Sequence, residues 1–199
     1  MASELVWYVS YGSNMNAARL ACYLEGGRPP GARLGYTGAR DHTPPRDDMA
    51  VMLPGCLYFG TVSRVWGGGI AFYDHDADGP TAARAYLITA EQFVDVAAQE
   101  MHRLPAAGDP LEKIVLDGVP EGRYQAGPGI YETLLRVGER DGFPMLTFTA
   151  PTRSVDVAFN QPVPAYLDML GAGLLQAHGW DAARCRQYFT GCGVLEEAA

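Results

Sequence analysis

Leu5-Val6-Trp7-Tyr8-Val9-Ser10-Tyr11-Gly12-Ser13-Asn14-Met15 is the stretch whose reading decides the fold of this chain. Leu5 to Val9 is a run of aliphatic, β-branched and aromatic side chains with no charge, which reads as a buried strand. It passes without a break into a small-residue turn, and apolar positions then take a helical spacing at Met15, Ala18, Leu20, Cys22 and Leu24. Glycine permits a tight backbone, and Ser and Asn are too short to cover the amides. The turn is therefore expected to leave several backbone N–H groups unpaired and pointing one way. Such a nest beside a helix N-terminus suits a carboxylate or a developing oxyanion. The same residues also fit a plain strand-to-helix turn capped by Ser13 or Asn14.

A second feature lies far along the chain. Residues Glu91 to Leu104 read as one amphipathic helix with Thr89 as N-cap and Glu91 in the first turn. Its apolar stripe is Phe93, Val96, Ala97, Met101 and Leu104. At about 100° per residue, Glu100 lies roughly 20° from Phe93 and roughly 40° from Val96 and Leu104. Glu100 thus points along the buried face, whereas Asp95, Gln99 and His102 can point to water. A carboxylate on an apolar face is costly unless it is paired, hydrogen-bonded or used. A bridge to Arg84 or Arg103 would satisfy it, and so would work as a general base.

Composition bounds the remaining classes. The chain has 199 residues, 48% of them hydrophobic, which suits one well-buried core, and it is read as a single domain over residues 1–199. No segment approaches the roughly 20 consecutive apolar residues that cross a bilayer. Met1-Ala2-Ser3-Glu4 leads straight into the first strand without a basic region or cleavage pattern, so a cytoplasmic location is expected. A net charge of −8 argues against nucleic acid or an anionic membrane as the partner. The cysteines Cys22, Cys56, Cys185 and Cys192 contain no C-x-x-C pair and read as reduced thiols. His42, His75, His102 and His178 are scattered, so zinc is not indicated.

Several strands are legible between these features. A Pro/Gly-rich stretch runs from Gly26 to Gly31, and an irregular charged loop from Arg40 to Asp48. Leu53 to Val65 reads as strand broken at Pro54-Gly55, followed by strands at Ile70 to Tyr73 and Ala83 to Ile88. Tyr131 to Val137 and Phe143 to Thr149 flank Asp141-Gly142, a hairpin signal. Pro164 to Ala177 and Asp181 to Phe189 read as helices. The class is α+β, with a curved and mostly antiparallel sheet.

Three other motifs lead nowhere. Asp74-His75-Asp76-Ala77-Asp78-Gly79 opens like a calcium loop, but Ala85 stands where the bidentate Glu belongs, so it reads as an acidic turn. Trp66-Gly67-Gly68-Gly69 is followed by a strand and no Lys, which rules out a P-loop. Ser13 lacks the G-x-S-x-G elbow of a nucleophile.

Taken in order, these motifs resemble the γ-glutamylcyclotransferase-like family over residues 5 to 178. The resemblance rests on Tyr11-Gly12-Ser13-Asn14-Met15, then Arg84-Ala85-Tyr86-Leu87-Ile88-Thr89-Ala90-Glu91-Gln92-Phe93 leading to Gln99-Glu100, then the Asp-Gly hairpin. Pro162-Val163-Pro164-Ala165-Tyr166-Leu167 completes it, with Val163 where the family has Ser. Residues 37–54 have no counterpart. The resemblance implies a small barrel-like sheet with packed helices and a small soluble γ-glutamyl substrate, without metal or cofactor. It implies that Tyr11, Gly12, Ser13, Asn14, Met15 and Asn16 hold the γ-glutamyl moiety, that Glu100 accepts the proton, and that the Tyr166 hydroxyl lines the pocket. The outer wall is expected from Arg40 to Asp48 and Trp66 to Asp78. A non-catalytic metabolite-binding protein, or an amide hydrolase in which Glu100 activates water, would use the same residues differently.

Overall fold

Leu5–Ser10 forms the strand β1, which runs through the interior of a sheet and feeds the turn expected at its end. The computed structural model describes residues 4–29, 35–63 and 66–194. Along them follow α1 (Ala17–Glu25), β2 (Asp47–Pro54), β3 (Cys56–Gly60), β4 (Ile70–Asp74) and β5 (Pro80–Thr89). Next come α2 (Ala90–Glu100), α3 (Pro110–Asp117), β6 (Arg123–Gln125), β7 (Thr133–Arg140), β8 (Phe143–Thr149), α4 (Pro164–His178) and α5 (Ala182–Gly191). Arg64 and Val65, expected as strand, and Pro30-Gly31 of the irregular stretch lie outside the described residues.

The architecture is α+β. One sheet has the order β2-β5-β1-β8-β7-β6, and β3 pairs with β4 in a second, two-stranded sheet. Of these pairings only β1 with β8 is parallel; the others are antiparallel. The large sheet ends at β2 and β6, so the barrel-like curvature does not close into a barrel. Side chains of β1 alternate between two cores. Trp7 and Val9 pack with β3, β4, α4 and α5, whereas Val6 and Tyr8 pack with α1, α2 and α3. Burial on both faces explains why the strand is apolar without interruption.

Local signals set several elements. Thr89 caps α2 through a capping box: Gln92 N–H donates to Thr89 Oγ1 at 3.1 Å, and Thr89 N–H donates to Gln92 Oε1 at 3.0 Å. Asp141 and Gly142 take φ of 52° and 80°, as a two-residue hairpin turn between β7 and β8 requires. Gly179 ends α4 at φ 67°. All four cysteines are free thiols.

Four expectations need correction. Helix α2 stops at Glu100, because His102 takes φ 56° and Pro105 follows, and Leu104 is exposed. Asp95 and Gln99 are buried, because residues 36–40 cover the side of α2 that a one-faced helix would turn to water. There Arg40 grips the Asp95 carboxylate through its backbone N–H (2.8 Å), Nε and Nη2, while Gln99 Nε2 donates to the Tyr23 carbonyl at 2.9 Å. In α1 the buried stripe is Arg19, Leu20, Tyr23 and Leu24, with Ala18 exposed. Residues from Asp47 onward are strand rather than loop, β2 being paired to β5 from Asp47 with Leu87 to Pro54 with Pro80.

Candidate active site

The chain leaves β1 at Ser10 and turns through a single 3-10 turn, Ser13–Met15, into α1. Met15 N–H donates to the Gly12 carbonyl at 3.0 Å and Asn16 N–H to the Ser13 carbonyl at 3.1 Å. Ser13 and Asn14 are the first residues of the turn, and their N–H groups find no acceptor among the described residues. Gly12 sits at φ −109°, ψ −152°, an extended conformation open to other residues, so the left-handed freedom of glycine is not what the turn uses. A Cβ there would point toward the Tyr166 hydroxyl, 3.8 Å away, on the cavity side.

The rear of the turn is held from two sides. On β5, the Tyr86 hydroxyl reaches the Asn14 and Met15 carbonyls at 2.9 and 2.8 Å, and Arg84 Nη1 donates to the Met15 carbonyl at 3.1 Å. On α4, Gln176 Oε1 accepts from Ala17 N–H at 2.9 Å. Arg84 also pairs with Asp48, at 2.8 Å.

Glu100, the last residue of α2, comes to this turn from the other direction. Asn14 Nδ2 donates to Glu100 Oε1 at 3.0 Å and to the Tyr8 hydroxyl at 3.2 Å. Neither Arg84 nor Arg103 takes Glu100: Arg84 is bound to Asp48, and Arg103 faces Asp109 and Glu132. Glu100 and Tyr11 to Asn14 line one cavity of about 470 Å³. Burial, followed by the Glu100 charge, pushes the Tyr8 phenol upward, so it stays protonated beside the carboxylate.

Arg19, in the first turns of α1, lines the same cavity and is 3% exposed. Its Nε donates to Ser13 Oγ at 3.2 Å, and its Nη2 donates to the Tyr23 and Tyr36 hydroxyls at 3.3 and 2.7 Å. The guanidinium lies over the rings of Tyr36, Tyr23 and Trp66, with its carbon 5.0, 5.3 and 5.5 Å from their centroids. Burial alone would pull this guanidinium down, but Tyr23, Tyr36 and Glu100 outweigh it and hold the group cationic. Sequence reasoning passed over Arg19. The signal was its i, i+4 spacing to Tyr23 beside the Leu20–Leu24 stripe.

The remaining expected residues divide. Tyr166 of α4 lines the cavity; its hydroxyl accepts from Ala71 N–H at 3.2 Å, and burial keeps the phenol neutral. Tyr11 lines the cavity, and its hydroxyl donates to the Phe148 carbonyl at 2.8 Å. Met15 and Asn16 lie outside the lining. Met15 is core, and the Asn16 side chain caps α1 by accepting from Arg19 N–H at 3.1 Å. The outer wall includes Trp66, Ile70 and Ala71 as expected, but not Arg40 to Asp48. Unforeseen parts are Thr61 to Ser63 and Gly129 to Tyr131, the Tyr131 hydroxyl donating to the Ala71 carbonyl at 2.9 Å.

Two discarded motifs have structural uses. Gly69 lets its backbone meet Asn160 and Gln161: a Cβ there would collide with the Asn160 carbonyl oxygen, and Gly69 N–H donates to the Gln161 carbonyl at 3.0 Å. Asp74 is spent on Ser154, accepting from its N–H at 2.8 Å and its hydroxyl at 2.7 Å.

No family model matches the chain. In structure it is similar to a gamma-glutamyl cyclotransferase, with a TM-score of 0.50 and 15% identity over 94% of this chain and 87% of that one. A crystal structure of an uncharacterised protein from Homo sapiens aligns with a TM-score of 0.53, again at 15% identity and with the same coverage. In sequence, histone deacetylase 5 of Arabidopsis thaliana is 31% identical over an alignment of 190 positions that covers 88% of this chain and 29% of that protein. The chain thus spans under a third of the length of the curated relative it matches.

Proposed function

We propose, from the premise that the chain has the γ-glutamyl cyclotransferase-like fold, that it converts a small γ-glutamyl amide or peptide to 5-oxoproline and a free amine. The observation that carries this reading is the 3.0 Å bond from Asn14 to Glu100, which joins a carboxylate, in one cavity, to a turn whose Ser13 and Asn14 amides have no acceptor among the described residues.

In a γ-glutamyl amide the α-nitrogen can reach the γ-carbonyl carbon to close a five-membered ring. The cavity would hold that folded conformer, and orientation is the main lever for a reaction within one molecule. Glu100 takes a proton from the α-ammonium, and the freed amine attacks the γ-carbonyl. The Ser13 and Asn14 amides receive the negative charge on the carbonyl oxygen. When the oxyanion collapses, the γ-amide C–N bond breaks and the ring nitrogen gives up its second proton. The departing nitrogen gains both protons and leaves as an ammonium. Tyr166 closes the pocket over Gly12.

Nothing carries the name of the plant relative over to this chain, since the match is to a minor part of that protein. The test is to incubate the protein with a panel of γ-glutamyl amides and follow 5-oxoproline by mass spectrometry. Free glutamate in its place would mean that water, rather than the α-amine, is the nucleophile. Stabilisation by 5-oxoproline with no product at high protein concentration would mean a binding protein.

A further inference from the structure

Arg19 is a buried charge that the chemistry above leaves without a task. Among the described residues its hydrogen-bond partners are neutral hydroxyls, and its Nη1 has no partner. A guanidinium removed from water without a directly bonded anion is costly, and its planar fork matches a carboxylate. The chain carries a net charge of −8, so an anion drawn into this cavity needs a local cation.

We propose that Arg19 binds the α-carboxylate of the substrate, leaving the turn amides to the oxyanion. This rests on the γ-glutamyl reading. Ser13 is hydrogen-bonded to Arg19, and its chain neighbour Asn14 is hydrogen-bonded to Glu100. Cation and base therefore flank adjacent residues of the turn, as carboxylate and ammonium flank one carbon of a glutamyl group. The Glu100 charge also acts on Arg19 across this space. Arg19 would make the enzyme specific for amides that carry the α-carboxylate, whatever amine departs.

The test compares γ-glutamyl methylamide with 4-aminobutanoyl methylamide, which keeps the amine and the carbonyl but lacks the carboxylate. Wild-type protein is expected to favour the former in kcat/KM by about tenfold or more, the worth of a charged hydrogen bond. Arg19→Gln should lose that preference mainly through KM, with kcat/KM falling further on the first compound than on the second. Equal use of both compounds by the wild type would overturn the assignment while leaving cyclisation intact. Because Arg19→Gln can fail to fold, the wild type is also compared for thermal stabilisation by 5-oxoproline and by 2-pyrrolidinone, the same ring without the carboxylate. Stabilisation by 5-oxoproline alone supports Arg19, and equal stabilisation, or none by either, overturns it. Failure to turn over any γ-glutamyl amide would sink the cyclotransferase reading, while this ligand comparison would still judge Arg19.

Discussion

Gly173 of α4 stands directly against Met15: a Cβ added at Gly173 would lie 2.7 Å from the Met15 Cβ and 2.8 Å from the Asn16 nitrogen. The helix thus presses its bare backbone onto the turn that borders the cavity. Glycine within a helix normally costs about 1 kcal/mol relative to alanine. Here that cost is outweighed by the close approach. Gly173→Ala should therefore lower stability by about 1–3 kcal/mol, as overpacking does. Gly171→Ala, two residues earlier and with nothing within 4 Å of its added carbon, should raise it by up to about 1 kcal/mol. Thermal melts of the two variants check the pair, and a stabilised Gly173→Ala would refute the contact.

Glu100→Gln keeps the shape of the side chain and removes the base. Formation of 5-oxoproline should fall by about 10²- to 10⁴-fold, the usual worth of a positioned general base. Thermal stabilisation by 5-oxoproline should persist, because Gln keeps the size and shape of the cavity wall at that position. Single-substrate kinetics with a γ-glutamyl amide measure the loss, and an undiminished rate would remove Glu100 from its role.

Tyr86→Phe takes away one hydroxyl that serves two buried carbonyls, those of Asn14 and Met15. Arg84 still reaches Met15, so Asn14 loses the more. A destabilisation of about 1–3 kcal/mol is expected from the unsatisfied group. kcat should fall, because the Ser13-Asn14 amides that receive the oxyanion are then held less firmly. Denaturant unfolding together with steady-state kinetics separates the two effects.

Asp74 carries a pH signature away from the cavity. Burial pushes its carboxyl up, but the Ser154 N–H and hydroxyl, the Asp76 N–H and Arg153 outweigh that and hold it below the usual carboxylate value. A group lowered by folding stabilises the native state fully above its unfolded value. That contribution is lost as pH falls through the lower, folded value. Asp74→Asn should therefore be less stable than wild type at neutral pH, and the gap should narrow in acid. Melting temperatures between about pH 7 and pH 3 follow the difference, which spans the ordinary carboxylate value.

Periodicity, capping and turn chemistry are written in neighbouring residues, and these were legible in the chain itself. The uninterrupted β1, the Thr89–Gln92 capping box, the Asp141-Gly142 turn and the Gly179 terminus of α4 each depend on positions a few residues apart. From them come the α+β class and the order of the main elements. Where α2 is covered on a second side by Arg40, and where Gly69 meets Asn160, no local pattern announces the partner. The same holds at the cavity. Asn14 and Glu100 are 86 positions apart, and Arg19 acquires its meaning only when Tyr36, Trp66 and Ser13 close around it. Helical and strand spacing determines which way a side chain leaves its own element. What it meets there is decided by how the elements pack, through shape and charge complementarity between segments that share no local sequence.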